Sequence, residues 1–332
     1  MEADKAITKP APGWSASAGK FFTTYGRTIF PFLLAIILVI IGEIFSPGFA
    51  SPSHVLNLLK TSSFLGIIVL AQTIVIVAGR EGIDLSVGAL ASYGAVFAAT
   101  VINGKDANIP LALVLVTAGG FLLGLINGLG ISYFRIPPLI MTLGMASVIN
   151  GLIIIYSQGF AFSGSASELL KIIGGKGTYG IPNMAVVWVI VTVIALFVLS
   201  RTKYGVGLYG VGANDLTAEL NGVNTKRVRA LAYACSGAIS SLAGIFLLGY
   251  IGLAFIDIGS SYVLPSVAAA VIGGISLAGG AGSYLGAAGG SLVLTTLTAV
   301  LVTLRMGEAG KQVVYGLVLI MLLAFYGRQR RK

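Results

Sequence analysis

Cysteine and histidine each occur once in this chain of 332 residues, as Cys235 and His54. The single cysteine excludes an intramolecular disulfide and any thiolate metal site, and the single histidine excludes a multi-histidine metal site. Cys235 sits inside an apolar run and reads as a small packing residue. His54, next to Ser51-Pro52-Ser53, reads as a surface loop residue. Charge is scarce as well: 10% of residues are charged, against about 25% in soluble domains. Nucleotide-binding signatures are missing. Gly205-Val206-Gly207-Leu208-Tyr209-Gly210 satisfies G-x-G-x-x-G but has no strand before it and no soluble βαβ unit around it. Gly175-Lys176-Gly177 is the nearest approach to a phosphate-binding P-loop and fails it. With paired carboxylates and metal-ligand clusters also lacking, no catalytic residue and no metal site is assigned, and an intramembrane enzyme would have no chemistry to run.

What the chain has is apolar mass. It is 56% hydrophobic, with a mean hydropathy of +0.97, and it carries 46 glycines. This composition places it in a bilayer, where small residues let helices approach closely because burying apolar surface gives little drive. The net charge of +10 falls in short basic clusters between apolar runs rather than on one interleaved face, so the partner it implies is a lipid surface and not nucleic acid.

Windows of roughly twenty apolar residues fall at Ile29 to Phe45, Val55 to Ala78, Leu85 to Ile102, Ile109 to Tyr133, Leu139 to Tyr156, Asn183 to Leu199, Ala230 to Ile251, Val263 to Leu277, Ser283 to Leu304 and Val313 to Tyr326. The fold class expected is therefore all-α, a polytopic membrane protein of about ten transmembrane helices. The first window follows a long basic leader and ends at Glu43-Ile44-Phe45-Ser46-Pro47 without a small-residue cleavage site, so it reads as an uncleaved span rather than a secretory signal. A cytoplasmic amino terminus leaves six of the 21 Lys and Arg outside, namely Lys60, Lys105, Lys171, Lys176, Arg305 and Lys311. That is the bias of the positive-inside rule, and it puts both termini in the cytoplasm. The resulting organisation is a tail over 1–28, one membrane domain over 29–327 with a long inner loop at 200–229, and a basic tail over 328–332. A short surface helix is expected near Ala166 to Ile173 in the longest outer loop.

Gly120, Gly124 and Gly128 recur at four-residue spacing in the fourth window, and Gly282, Gly286 and Gly290 repeat it at the head of the ninth. The two rows fit a five-plus-five duplication with inverted halves, or two independent helix-packing faces.

The stretch Gly79 to Gly88 is a charged, glycine-bracketed knot between two apolar windows. Asp84 is the costly residue in it, since an aspartate at the bilayer centre costs on the order of 2.5–3.5 kcal/mol. It precedes Leu85-Ser86-Val87-Gly88, so its carboxylate is placed to accept from free backbone N–H groups at the start of the third helix; direct contact with a ligand is the other reading. Arg80 and Glu81 read as interfacial charges. Gln72, Asn127, Thr142 and Asn150 are uncharged polar residues within windows. With Asp84 and Ser86 they make a candidate pathway suited to a neutral polyol, although each amide or hydroxyl serves equally well by bonding a neighbouring helix. No mid-window carboxylate pair is present for a proton relay. In the long inner loop, Gly212 to Val223 predicts a short helix that starts at Asn214 or Asp215 and stops at Asn221-Gly222.

Three stretches carry a family resemblance: Gly82-Ile83-Asp84-Leu85-Ser86-Val87-Gly88; Gly212 to Gly222 running into Tyr233-x-x-Ser236-Gly237-x-x-x-Ser240-x-x-Ala243-Gly244; and Ala268 to Gly282. From about Phe30 to Tyr326 the chain resembles the permease subunits of monosaccharide ABC importers of the ribose and xylose type. The resemblance implies a bacterial inner-membrane protein that moves a sugar or sugar-like polyol. It also implies a second permease copy or homologue, a periplasmic solute-binding protein outside and ABC ATPase subunits inside; ATP is used by that partner, and this chain binds no cofactor. Asn214, Asp215, Ala218, Glu219, Gly222 and Arg227, with Lys226 and Arg229 beside them, then fall in the coupling loop. Two positions depart from the family: Tyr262-Val263-Leu264-Pro265-Ser266-Val267 stands where relatives often have Tyr-Glu-Leu-Asp-Ala-Ile, and Asn150 stands where they often have arginine. Both bear on which sugar is carried. A branched-chain amino acid ABC permease and an ion-coupled secondary transporter are the alternatives.

Overall fold

A computed structural model describes residues 14–79, 81–157 and 165–329. The extreme basic tails, Arg80 and residues 158–164 lie outside the described residues. Among the described residues thirteen α-helices follow one another: α1 (Trp14–Phe45), α2 (Pro52–Val77), α3 (Val87–Ile102), α4 (Ile109–Ser132), α5 (Pro138–Tyr156), α6 (Glu168–Gly175), α7 (Asn183–Arg201), α8 (Lys203–Ala213), α9 (Asp215–Leu220), α10 (Thr225–Ile251), α11 (Val263–Ile272), α12 (Tyr284–Thr303) and α13 (Glu308–Gln329). The only sheet among the described residues pairs β1 (Gly177–Thr178) with β2 (Ile181–Pro182), antiparallel.

Each apolar window coincides with a helix, but the helices are not equally long. Among the described residues seven are long and apolar enough to cross a membrane: the Thr28–Phe45 part of α1, then α2, α4 with the 3-10 turn before it, α5, α7, α10 and α12. Two others are short. The 16 residues of α3 reach about 24 Å and the 10 of α11 about 15 Å at 1.5 Å per residue, so neither matches a hydrocarbon core of roughly 30 Å alone. The eighth apolar window ran on past α11 because the non-helical backbone at 273–282 carries no charge, whereas the third began at Leu85, only two residues ahead of α3. A hydropathy window registers polarity and not conformation.

Helix α2 is sheathed by protein, with 89% of its most apolar window buried, whereas α5 has 22% buried. The contacts repeat across the chain: α4 lies on α10 as α12 lies on α2, α3 packs on α4 and α5 as α11 packs on α12 and α13, and α2 crosses α10 between them. Helices α1 and α7 break the pattern, α1 lying on α12 and α7 on α2.

The glycine rows take different places in this scheme. A Cβ on Gly124 would fall on the Tyr233 carbonyl of α10, one on Gly128 on the Ala230 carbonyl, and one on Gly120 on Ser241, so this row lets α4 and α10 touch backbone to backbone. Gly290 instead faces the Ala269 carbonyl of α11, and Gly286 lies beside Gly273. Gly282 precedes α12 altogether, in a loop with φ +117°. The symmetry is thus carried by the helix contacts rather than by glycine spacing, because equal spacing on two helices does not oblige them to face equivalent partners.

Candidate functional site

Two ends of the molecule can be told apart by what gathers there. At one end α6 packs on the last turns of α10, where a Cβ on Gly249 would fall on Leu170, and Lys60 near the start of α2 lies 5.2 Å from the Tyr250 ring centre. At the other, the end of α2 meets α8, which leads into α9, and the loop after α11.

Between these ends residues 81–86 lead into α3, which starts inside the protein. Asp84 is fully buried. One carboxylate oxygen accepts from the Ser86 N–H at 2.9 Å and the Ser86 hydroxyl at 2.5 Å, the other from the Ser236 hydroxyl of α10 at 2.8 Å. Asn127 of α4 donates to Ser86 Oγ at 2.9 Å. Gln72 of α2, with its amide turned so that both groups find partners, donates to the Asp84 carbonyl at 3.0 Å and accepts from the Asp84 N–H at 3.2 Å. Thr142 of α5 accepts from the Leu85 N–H at 3.2 Å and donates to the Pro138 carbonyl at 2.9 Å. Five of the six polar residues singled out in the sequence therefore converge on one loop and tie α2, α3, α4, α5 and α10 together. Asn150 does not; it lies half-buried two turns along α5 from Thr142.

Ser236 stands twelfth in the 27 residues of α10, counting from Thr225, so this cluster lies about 17 Å along that helix, near mid-depth. Burial at such a place is costly for a carboxylate without bonds, and the three donors offset that cost. The second short helix meets the first here: the N–H of Gly259, just ahead of the 3-10 turn that leads into α11, donates to Ser92 Oγ of α3 at 3.0 Å, and Gly88 and Gly259 touch through their backbones. In the sequence Ser236 is marked only by the Tyr233-x-x-Ser236-Gly237 stretch, because a serine in a small-residue helix gives no hydropathy signal.

The loop 200–229 holds two helices, not one. Gly205 to Gly210 is part of α8, so the G-x-G-x-x-G string is helical. The short helix expected from Asn214 is α9. Asn214 caps it by accepting from the Thr217 N–H at 3.0 Å, and Gly222, at φ +80°, ends it with its N–H on the Glu219 carbonyl. Ala218 is buried beneath, whereas Leu216 and Leu220 are 66% and 80% exposed. Asp215 pairs with Arg229 of α10 at 2.7 Å, and Glu219 accepts from the Thr225 hydroxyl at 2.7 Å. Arg227 is exposed and its N–H is capped by Asn224 at 3.0 Å. This small helix thus shows two leucines to its surroundings while an ion pair ties it to a long helix.

Known proteins resemble the chain over most of its length. Residues 54–323 match the profile of a family described as branched-chain amino acid transport system / permease component. The ribose import permease protein RbsC of Bacillus subtilis (strain 168) is 37% identical over 292 residues, 87% of this chain and 89% of that protein. RbsC of Haemophilus influenzae is 32% identical over 295 residues, 87% and 90% of the two chains. The autoinducer 2 import system permease protein LsrC of Escherichia coli (strain K12 / DH10B) is 30% identical over 302 residues, 90% and 86% of the two. No solved structure matches.

Proposed function

The chain belongs to the ABC-importer permease family described as the branched-chain amino acid transport system permease component, and from that premise we propose that its cargo is a sugar or sugar-like polyol. It is a membrane permease subunit coupled to a separate ATPase and binding protein, and it is not itself an enzyme. Membership of that family removes the ion-coupled secondary transporter from consideration.

The observation that carries the cargo assignment is the 37% identity to a ribose import permease across 87% of the chain. The interior is in keeping with it. Among the described residues the buried charged side chains are Asp84 and Arg229, and both are consumed by partners within the protein. A neutral cargo asks for no counter-charge, whereas an amino acid carries two charges. In this reading the chain crosses the bacterial inner membrane ten times, α3 and α11 completing their crossings with the backbone beside them, and α2–α5 and α10–α13 form the inverted halves. Helix α9 faces the cytoplasm, as do both termini, and docks on the ATPase through Leu216 and Leu220, with a second permease subunit beside the chain. Gln72, Asp84, Ser86, Asn127 and Thr142 hold the pathway wall in place, and Asn150, outside that cluster, is left to meet the cargo.

The test is uptake into liposomes holding this chain, its ATPase and its binding protein. Labelled ribose is expected to enter only with ATP, and excess unlabelled ribose, not leucine, to compete. Competition by leucine alone would transfer the cargo to the amino-acid class.

A further inference from the structure

Three stretches of backbone meet at the α9 end of the molecule with no side chain between them. They are the end of α2, the end of α8 and the loop between α11 and α12. The Val77 carbonyl accepts from the Gly280 N–H at 3.0 Å. A Cβ on Gly212 would fall on that same carbonyl, one on Gly279 would fall on Gly79 Cα, and one on Gly280 would lie 2.5 Å from Ala213 Cα. Tyr209, one turn back on α8, donates to the Gly282 carbonyl at 2.9 Å. Gly79, Gly212, Gly279 and Gly280 thus each make room for another strand of chain.

The position of this contact is what gives it a role. Gly212 and Ala213 lead directly into Asn214, the cap of α9, so α8 and α9 are separated by a single residue. Gly79 opens the knot that reaches the buried Asp84 five residues later. Interdigitated side chains resist sliding because each displacement opens voids. Backbone laid on backbone, fastened by two neutral hydrogen bonds, has a low cost of parting.

We propose that this glycine junction is the joint that passes a displacement of α9 to α2 and to the α11–α12 loop, parting at Gly212 when the ATPase moves α9. The ion pair of Asp215 with Arg229 holds α9 to α10 meanwhile, so α10 serves as the fulcrum and the junction as the moving contact. This inference rests on the permease reading above, and its test uses ATP turnover, which needs no knowledge of the cargo.

In a Cys235→Ala background, cysteines at Ala213 and Ala281 are bridged by a short bifunctional methanethiosulfonate in the purified complex of permease and ATPase. Bridging is expected in the nucleotide-free complex, and it should lower ATP turnover about tenfold, within the range of ordinary coupling between sites, with full recovery on adding reductant. Turnover unchanged by the bridge would overturn the joint, and so would failure of the reagent to bridge. Should the double-cysteine chain not assemble, Tyr209→Phe removes one bond and adds no volume. It is expected to change binding-protein-stimulated turnover about threefold with an unchanged thermal midpoint, again by the arithmetic of coupling, and unaltered stimulation would count against the proposal. Because ribose uptake is read on the chain without the introduced cysteines, its failure strikes the cargo assignment and leaves the joint to be judged on turnover.

Discussion

The dipeptide Ile-Asp stands ahead of both short helices and meets opposite fates. Ile83-Asp84-Leu85-Ser86 leads into α3 with its aspartate fully buried, and Ile256-Asp257-Ile258-Gly259 leads toward α11 with its aspartate exposed. The difference starts two residues on. Ser86 offers Asp84 both a backbone N–H and a hydroxyl, whereas Gly259 has no hydroxyl and gives its N–H to Ser92 instead. Across the interface Ser236 completes the first site. At the second, the backbone carbonyl of Asp257 takes the Ser260 hydroxyl at 2.8 Å and starts a 3-10 turn. An aspartate before a helix is therefore not a site by its local sequence; the donors that the rest of the fold brings to it decide whether it is drawn inside.

The sharpest way to break that comparison is to remove each carboxylate. Asp84→Ala leaves three buried donors without an acceptor and is expected to cost roughly 3 kcal/mol or more, at about 1–3 kcal/mol for each buried group left unpaired. Asp257→Ala should stay within about 0.5 kcal/mol, as exposed substitutions do. Thermal unfolding of the two variants in detergent measures both, and equal shifts would erase the distinction. Next in size is Asp215→Ala. It leaves Arg229, 3% exposed, without its carboxylate, and the expected loss is about 2–3 kcal/mol because Asp215 itself is partly solvated. A midpoint unmoved by this change would show that α9 is not fastened to α10 by the pair. The smallest effects distinguish glycines in contact from glycines in the open. Gly124→Ala forces a methyl onto the Tyr233 carbonyl and should cost about 1–3 kcal/mol. Gly210→Ala, with nothing near it on α8, should be neutral or gain up to about 1 kcal/mol of helix propensity.

Much of this was legible beforehand. The ten apolar windows each became a helix, the Asn214 cap and the Asn221-Gly222 stop framed α9 to within a residue, and a surface helix stood near the place expected in the 157–182 loop, as α6. These features are local: hydropathy over a window, a capping amide, a glycine able to take positive φ. The shortness of α11 was not legible, because an uncharged loop at 273–282 has the hydropathy of a helix.

Lipid exposure, the number of apolar elements, the caps of α9 and the family itself were determined by the sequence alone, since each depends on residues near one another in the chain or on motifs read in order. Only the tertiary structure decided that Gln72, Asp84, Ser86, Asn127, Thr142 and Ser236 form one cluster, that Asn150 stands apart, and that Gly79, Gly212 and Gly280 share a contact. Those partners are separated by up to about two hundred residues, and hydrogen bonds and backbone contacts across such distances exist only once the helices have packed and fixed which faces meet.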